Sequence, residues 1–244
     1  MRFSDTEVWG FEHAIRGARN PMNSWSKSDS GYGCESKLCK NCGFSHDWCG
    51  CSSHYVIGPN DMKLLQKLIK AGPEHRKFMR QIMVSVDITA PLFWFKEFDT
   101  YKVGTTANST STMHKLASTP ITKECFEMDD YDGTLLIYNQ EPYNSDAYID
   151  DIWDEIIGHC ETLRKRYLET KDIKYWKALI RLLPESWLQT RTVTMNYENL
   201  LAMCSPGQRR FHKLTEWSDS FISWARELPY AQELIFIDEV FNND

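Results

Sequence analysis

Residues 82 to 116 read Ile82-Met-Val-Ser-Val-Asp-Ile88-Thr-Ala90-Pro91-Leu-Phe-Trp-Phe-Lys-Glu97-Phe-Asp-Thr100-Tyr101-Lys102-Val-Gly104-Thr105-Thr-Ala107-Asn108-Ser-Thr110-Ser-Thr112-Met113-His-Lys-Leu116. Three textures follow one another. Ile82, Val84, Val86 and Ile88 alternate with Met83, Ser85 and Asp87, the period of a half-buried strand, and Ala90-Pro91 ends it. The aromatic run from about 91 to 102 predicts a helix with Pro91 in its first turn. Gly104 to Thr112 is made only of Gly, Thr, Ser, Ala and Asn, a loop that presents hydroxyls and backbone amides to a ligand or to solvent.

On the N-terminal side, Asn60 or Asp61 is placed to cap a helix through Met62, Leu64, Leu65, Leu68 and Ile69, stopped by Ala71-Gly72-Pro73. Val8, Phe11 and Ile15 predict a short helix over 7 to 19, ended by Asn20-Pro21. Between them, residues 22 to 58 are rich in Ser, Gly, Asn and Cys with few aliphatics, so something other than an apolar core must order them. On the C-terminal side, Leu135 to Tyr138 is a short buried run or strand. Helices are expected over Ile149 to Glu169 and Lys171 to Leu183. Residues 187 to 203 pass from β-branched Thr192, Val193 and Thr194 to Leu200, Leu201 and Met203 at helical spacing. A closing helix over 208 to 227 is expected to bury Phe211, Leu214, Trp217, Phe221 and Trp224. Strands mixed with helices make this an α/β (α+β) chain, a single domain over 1 to 244 carrying a Cys-rich insertion at 22 to 58.

The 244 residues are 42% hydrophobic with nine Trp, a composition that supports a packed core without disulfides. A net charge of −6 speaks against a surface built for duplex nucleic acid and allows a local pocket for one phosphate. No run approaches the roughly 18 apolar residues of a membrane span, and Met1-Arg-Phe-Ser-Asp-Thr-Glu has no signal-peptide core, so a cytoplasmic protein is expected.

Of the eight cysteines, Cys34, Cys39, Cys42, Cys49 and Cys51 crowd into one segment. Cys39-Lys-Asn-Cys42 is a Cys-x-x-Cys knuckle, and Cys49-Gly-Cys51 supplies a second pair. Cys39, Cys42, Cys49 and Cys51 together have the donors of a tetrahedral structural zinc site, with Cys34, His46 and His54 in reserve. Free thiols or a redox pair are the alternatives.

Three segments, covering about 60 to 116 and 155 to 230, give the chain a resemblance to the flavin-dependent thymidylate synthases (ThyX). The first is the helix, strand, Ala90-Pro91 and polar loop. Laid without gaps on the family's Gln…Arg-His-Arg-x-x-Ser-x-Asn-Glu-x-Ser-x-Arg-Tyr run, it places Glu97, Thr100-Tyr101-Lys102, Thr105, Ala107-Asn108, Thr110 and Thr112-Met113 at the signature positions. Lys102 keeps a positive charge, Thr105 and Thr110 keep hydroxyls, and the remaining side chains differ. The family's Phe-Glu-His reads Met79-Arg80-Gln81. The second segment, Leu183-Pro184…Thr190-Arg191-Thr192-Val193-Thr194-Met195-Asn196, resembles the family's Leu-Pro-x-x-x-Thr-Arg…Thr-x-Asn. The third is Leu200-Leu201 with the closing helix, where Arg209 or Arg210 takes the place of a substrate-phosphate arginine and Glu198 stands where the family usually has Arg.

The resemblance implies a homotetramer with FAD at subunit junctions, a pyrimidine nucleotide such as dUMP as substrate, and methyl transfer to C5 using a reduced folate and NADPH. It implies catalytic roles for Lys102 and Thr110, and substrate contacts from Glu97, Lys102, Thr105, Thr110, Arg209 and Arg210. Gln81, Tyr101, Arg191 and Asn196 fall near the flavin. Each has a plainer reading: a solvated Lys at a helix end, one Thr among many, surface arginines, a core Tyr. A non-catalytic nucleotide-binding protein on the same fold, or a zinc-stabilised interaction protein, accounts for the lost Arg-His-Arg set as well.

Overall fold

Gly10 decides how the chain begins. Val8 belongs to strand β1 (Arg2–Trp9), so the helix expected from residue 7 starts only after Gly10, as α1 (Phe11–Arg19). Gly10 has φ of 95°, and a Cβ there would fall 2.0 Å from the Gln81 carbonyl oxygen. Only glycine both adopts that conformation and lets the two segments touch. The computed structural model describes residues 1–33, 54–111, 115–138 and 146–241.

The elements that follow are β2 (Gly31–Gly33), β3 (His54–Val56), α2 (Pro59–Lys70), β4 (Met83–Pro91), α3 (Leu92–Phe98) and β5 (Thr106–Ser109). Next come β6 (Leu136–Tyr138), β7 (Ala147–Tyr148), α4 (Ile149–Thr170), α5 (Ile173–Leu182), β8 (Leu188–Asn196), α6 (Tyr197–Met203) and α7 (Pro206–Phe211). A π-helix (Glu216–Phe221) runs into α8 (Ile222–Arg226), followed by α9 (Ala231–Leu234) and α10 (Ile237–Phe241). The main sheet has the order β1-β4-β8-β5, and β2–β3 and β6–β7 are two-stranded sheets. The architecture is mixed α/β, as expected. No described helix is long and apolar enough to cross a membrane.

Contacts divide the chain into two compact units. The first comprises Met1–Arg2, Ile88–Thr100 and Asn108–Arg191. Its helical hairpin α4–α5 turns at Lys171, in the left-handed region, and Asp172 caps α5 by accepting from the Lys174 N–H at 2.9 Å. Leu116, Ile121, Phe126, Cys160 and Leu179 form its core, with Trp153, Ile157 and Trp187 packed against them. The buried Arg164 donates twice to Glu161, at 2.7 Å each, and once to the Ala117 carbonyl at 3.1 Å. Those hydrogen bonds hold the Glu161 carboxyl at about 2, below its ordinary 4.5.

The second unit comprises Phe3–Asp87, Tyr101–Ala107 and Thr192–Asp244. Ile82, Val84 and Val86 are fully buried, as their alternation predicts. Helix α2 is capped from outside itself: the Asp29 carboxylate accepts from the N–H groups of Asn60 (2.9 Å) and Asp61 (3.1 Å). Asp61, one of the two residues expected as the cap, turns inward and has no exposed surface, and Asn60 is itself capped by Asp29. It accepts from Arg19 Nε (2.5 Å), Ser28 Oγ (2.7 Å), Ser30 Oγ (2.6 Å) and the N–H groups of Asp29 and Ser30. Burial alone would raise its carboxyl, but the hydrogen bonds of Ser30, Ser28 and Arg19 and the Arg19 charge outweigh it and keep the group below the usual range. This buried carboxylate fastens Ser28, Asp29 and Ser30, within the 22 to 58 segment, to α2.

Three further sequence-based expectations are corrected. Helix α3 ends at Phe98, where the Thr100 hydroxyl donates to the Glu97 carbonyl at 2.7 Å and closes the turn. The polar loop contains strand β5, which pairs with β8 at the edge of the main sheet although Ala107 and Asn108 are poor strand formers. The closing helix is not continuous: α7 stops at Phe211, and Leu214 is 44% exposed, while Trp217, Phe221 and Trp224 are buried.

Asp61→Ala, which leaves Arg19 buried without its partner, is expected to lower unfolding free energy by roughly 3 kcal/mol or more in urea melts. Because Glu161 has a depressed carboxyl, its contribution is complete above about pH 4.5 and disappears as pH falls through about 2. Melting temperatures of Glu161→Gln should therefore fall less steeply over that window than those of the unaltered chain.

Candidate functional site

In the first unit the N-terminal half of β8 and the residues after β5 form one hydrogen-bonded patch. Arg191 lies over the Phe95 ring, with its guanidinium carbon 3.8 Å from the centroid. It donates through Nε to Gln189 Oε1 at 2.9 Å and through Nη1 to Asp99 Oδ1 at 2.9 Å. Gln189 in turn donates through Nε2 to the Thr110 carbonyl at 3.0 Å. The Thr110 N–H donates to the Thr190 carbonyl at 2.9 Å, and the Thr110 hydroxyl accepts from the Thr190 N–H at 3.3 Å. Thr110 is exposed, and its hydroxyl keeps its own proton for donation, which suits a carbonyl oxygen such as a pyrimidine presents. Arg191 and Thr110 thus share a network through Gln189. Glu97 sits half-buried on the last turn of α3.

In the second unit the Tyr101 to Thr105 turn is clamped by the start of α6. Asn196 and Asn199 cap α6 reciprocally: each side-chain oxygen accepts the other's backbone N–H, at 3.0 and 3.2 Å. Asn199 Nδ2 also donates to the Val103 carbonyl at 2.6 Å. Gly104, at φ 78°, would set a Cβ 2.7 Å from Asn196 Nδ2. Thr105 closes the turn by donating its hydroxyl to the Tyr101 carbonyl at 2.9 Å. Lys102 lies at the exposed crown. Behind it the Tyr101 ring packs on Trp217 (5.7 Å), which stacks on His212 (4.2 Å) just after α7.

This ladder of rings ties the Lys102 turn to the segment that carries Arg209 and Arg210. Both arginines lie in the last turn of a six-residue helix and not at the start of a long one, so no helix N-terminus assists them. Arg209 donates to the Cys204 carbonyl at 2.6 Å and to Asp238 at 2.5 Å, and also reaches Glu239 at 3.4 Å. Arg210 is exposed. Gln81 is exposed at the end of a 3-10 turn, its side chain so close to α1 that a Cβ on Gly17 would meet Oε1 at 2.5 Å. Cys39, Cys42, Cys49 and Cys51 lie outside the described residues. Among the described residues, no group of three or more His, Cys, Asp or Glu side chains could hold a metal ion.

Asp99, Gln189 and Asn199 were not singled out by the sequence, yet they orient Arg191, Thr110 and the Lys102 turn. Asn199 had a signal, because Asn-x-x-Asn at a strand-to-helix junction is a reciprocal cap. Asp99 and Gln189 had none, since their partners come from distant sequence.

Gly104→Ala should destabilise the chain by about 1–2 kcal/mol, from the positive φ and the contact with Asn196 together, as measured by denaturant unfolding.

No family model and no curated protein match the chain. Solved structures do. The flavin-dependent thymidylate synthase ThyX of Helicobacter pylori, complexed with FAD and dUMP, superposes with TM-score 0.62 at 14% identity over 98% of this chain and 99% of that one. A second structure of Helicobacter pylori ThyX with FAD and dUMP gives 0.62 at 15% identity, with 98% of each chain covered. The UMP/dUMP methylase PolB of Streptomyces cacaoi, bound with 5-Br dUMP, gives 0.57 at 13% identity over 97% of this chain and 93% of its own. Identities this low speak for architecture, and what they show is that the chain has the fold of the ThyX thymidylate synthases.

Proposed function

We propose that the chain binds a pyrimidine nucleotide and methylates its ring at C5, with FAD as the cofactor. The observation that carries this reading is the end-to-end likeness to two FAD- and dUMP-bound synthase structures and to a UMP/dUMP methylase. Of the cations that the resemblance points to, Arg191 and Arg209 are held by carboxylates of their own units. Lys102 and Arg210 are exposed and are the residues proposed for the nucleotide phosphate. A lysine meets phosphate as a point charge, and an exposed arginine can add a two-pronged contact. The Asn199 bond to Val103 fixes the backbone beside Lys102, so less freedom is lost when the ammonium engages.

The residues expected near a flavin fit it less well. Arg191 is engaged by Asp99 and Gln189, Asn196 by its cap, and Tyr101 by Trp217. Bound FAD would supply the hydride that the methyl transfer needs, with a reduced folate supplying the carbon and NADPH the electrons. These engaged side chains favour a second reading, nucleotide binding without hydride transfer. Homotetrameric assembly accompanies the first reading.

The deciding experiment is the visible absorption spectrum after FAD is added and the excess removed by gel filtration, run beside calorimetric titration with dUMP. A retained flavin spectrum that dUMP perturbs supports methyl transfer. dUMP binding without flavin supports the second reading, and neither would remove both. Lys102→Ala and Arg210→Ala should each weaken dUMP binding roughly tenfold, the loss of one charge-assisted contact, and leave deoxyuridine binding unchanged.

A further inference from the structure

The second unit contains a cavity of about 380 Å³ lined by Trp9, Phe11, Glu12, Tyr32, Tyr55 and Tyr230, among others. That volume is within the roughly 300–1,000 Å³ range of small-molecule sites. None of the residues proposed for nucleotide or flavin lines it.

Its walls are aromatic, and the rings are set at right angles. Tyr32 and Tyr55, facing each other across the β2–β3 pair, lie 5.3 Å apart at 85°. Phe11 and Tyr230 lie 5.5 Å apart at 76°. A flat heterocycle needs two parallel faces to slot between, and neither of these pairs offers that. In each pair the edge of one ring meets the face of the other, and four such rings lining a cavity beside a carboxylate suit a rounded cation, which gains from each π-face it meets. The charge agrees: the Glu12 carboxylate lines the cavity and accepts the Tyr32 hydroxyl at 3.1 Å. That bond raises the Tyr32 phenol above its ordinary value, so the ring stays neutral.

The cage is also held in place at some conformational cost. Tyr230 has φ of 55°, outside the ordinary range for a bulky side chain, and its hydroxyl accepts from the Ile57 N–H at 3.0 Å. Gly10, in its own left-handed conformation, turns the chain between Trp9 and Phe11 so that both line the cavity. Trp9 is 45% exposed and Tyr32 64%, large aromatic surfaces left open to solvent at the mouth.

We propose that this cavity is a binding site for a compact organic cation of the quaternary-ammonium class, caged by Trp9, Tyr32, Tyr55 and Tyr230 and neutralised by Glu12. The test compares choline with 3,3-dimethylbutan-1-ol, its uncharged carbon analogue, by calorimetric titration of the full chain and by quenching of Trp fluorescence. Choline should bind in a saturable 1:1 manner, roughly tenfold or more tighter than the alcohol. Glu12→Gln should reduce that preference severalfold. Tyr32→Ala, at a position exposed enough to leave folding intact, should reduce choline affinity in similar measure. Equal binding of choline and the alcohol, or no saturable choline binding at millimolar concentration, would overturn the proposal on the unaltered chain alone.

Discussion

A single buried carboxylate organises the N-terminal part of the second unit. Asp61 gathers one guanidinium, two hydroxyls and two backbone N–H groups, one donor on Oδ1 and four on Oδ2, which replace the water that burial removes. Arg19 sends its other donors to the carbonyls of Ser24 and Lys27, at 3.2 and 3.0 Å. A stretch with scarcely any aliphatic side chains is thereby fastened to two helices at once. A polar hub of this kind does the work that a small apolar core would otherwise do.

Periodic stretches are legible in the sequence alone. The alternation of β4, the amphipathic α2 and the α4–α5 hairpin read correctly because each pattern is local and repeats several times. Legibility failed where one distant contact outvoted the local pattern. Gly10 ends a strand where Val8 and Phe11 suggest a helix, because the Gln81 carbonyl occupies the space a side chain would need. Asp61 looked like a cap, but Arg19, far away in sequence, pulls it inward and Asp29 takes the capping role. The candidate site was readable to the same extent: the Tyr101 to Thr105 turn could be located, whereas the asparagine clamp and the Asp99–Arg191 pair depend on residues brought together only by folding.

Charge is used economically here. Two of the four cations that the resemblance points to, Arg191 for the flavin and Arg209 for the nucleotide, are committed to carboxylates, and those pairings tie β8 to Asp99 and α7 to α10. An arginine neutralised in this way contributes orientation and little field, so under the proposed nucleotide reading the attraction for a phosphate falls to the exposed Lys102 and Arg210.

The π-helix at Glu216–Phe221 carries a consequence for alignment. A turn with one residue more than its neighbours advances the helix by about 100°, so the sequence before it and the sequence after it are out of phase. The His212–Trp217–Tyr101 ring ladder is built across that phase change. A gap-free comparison with a protein of this fold that winds the segment as an ordinary helix would register correctly on one side only. Any alignment of this chain by letters alone must be made in two pieces, with one residue set aside between them.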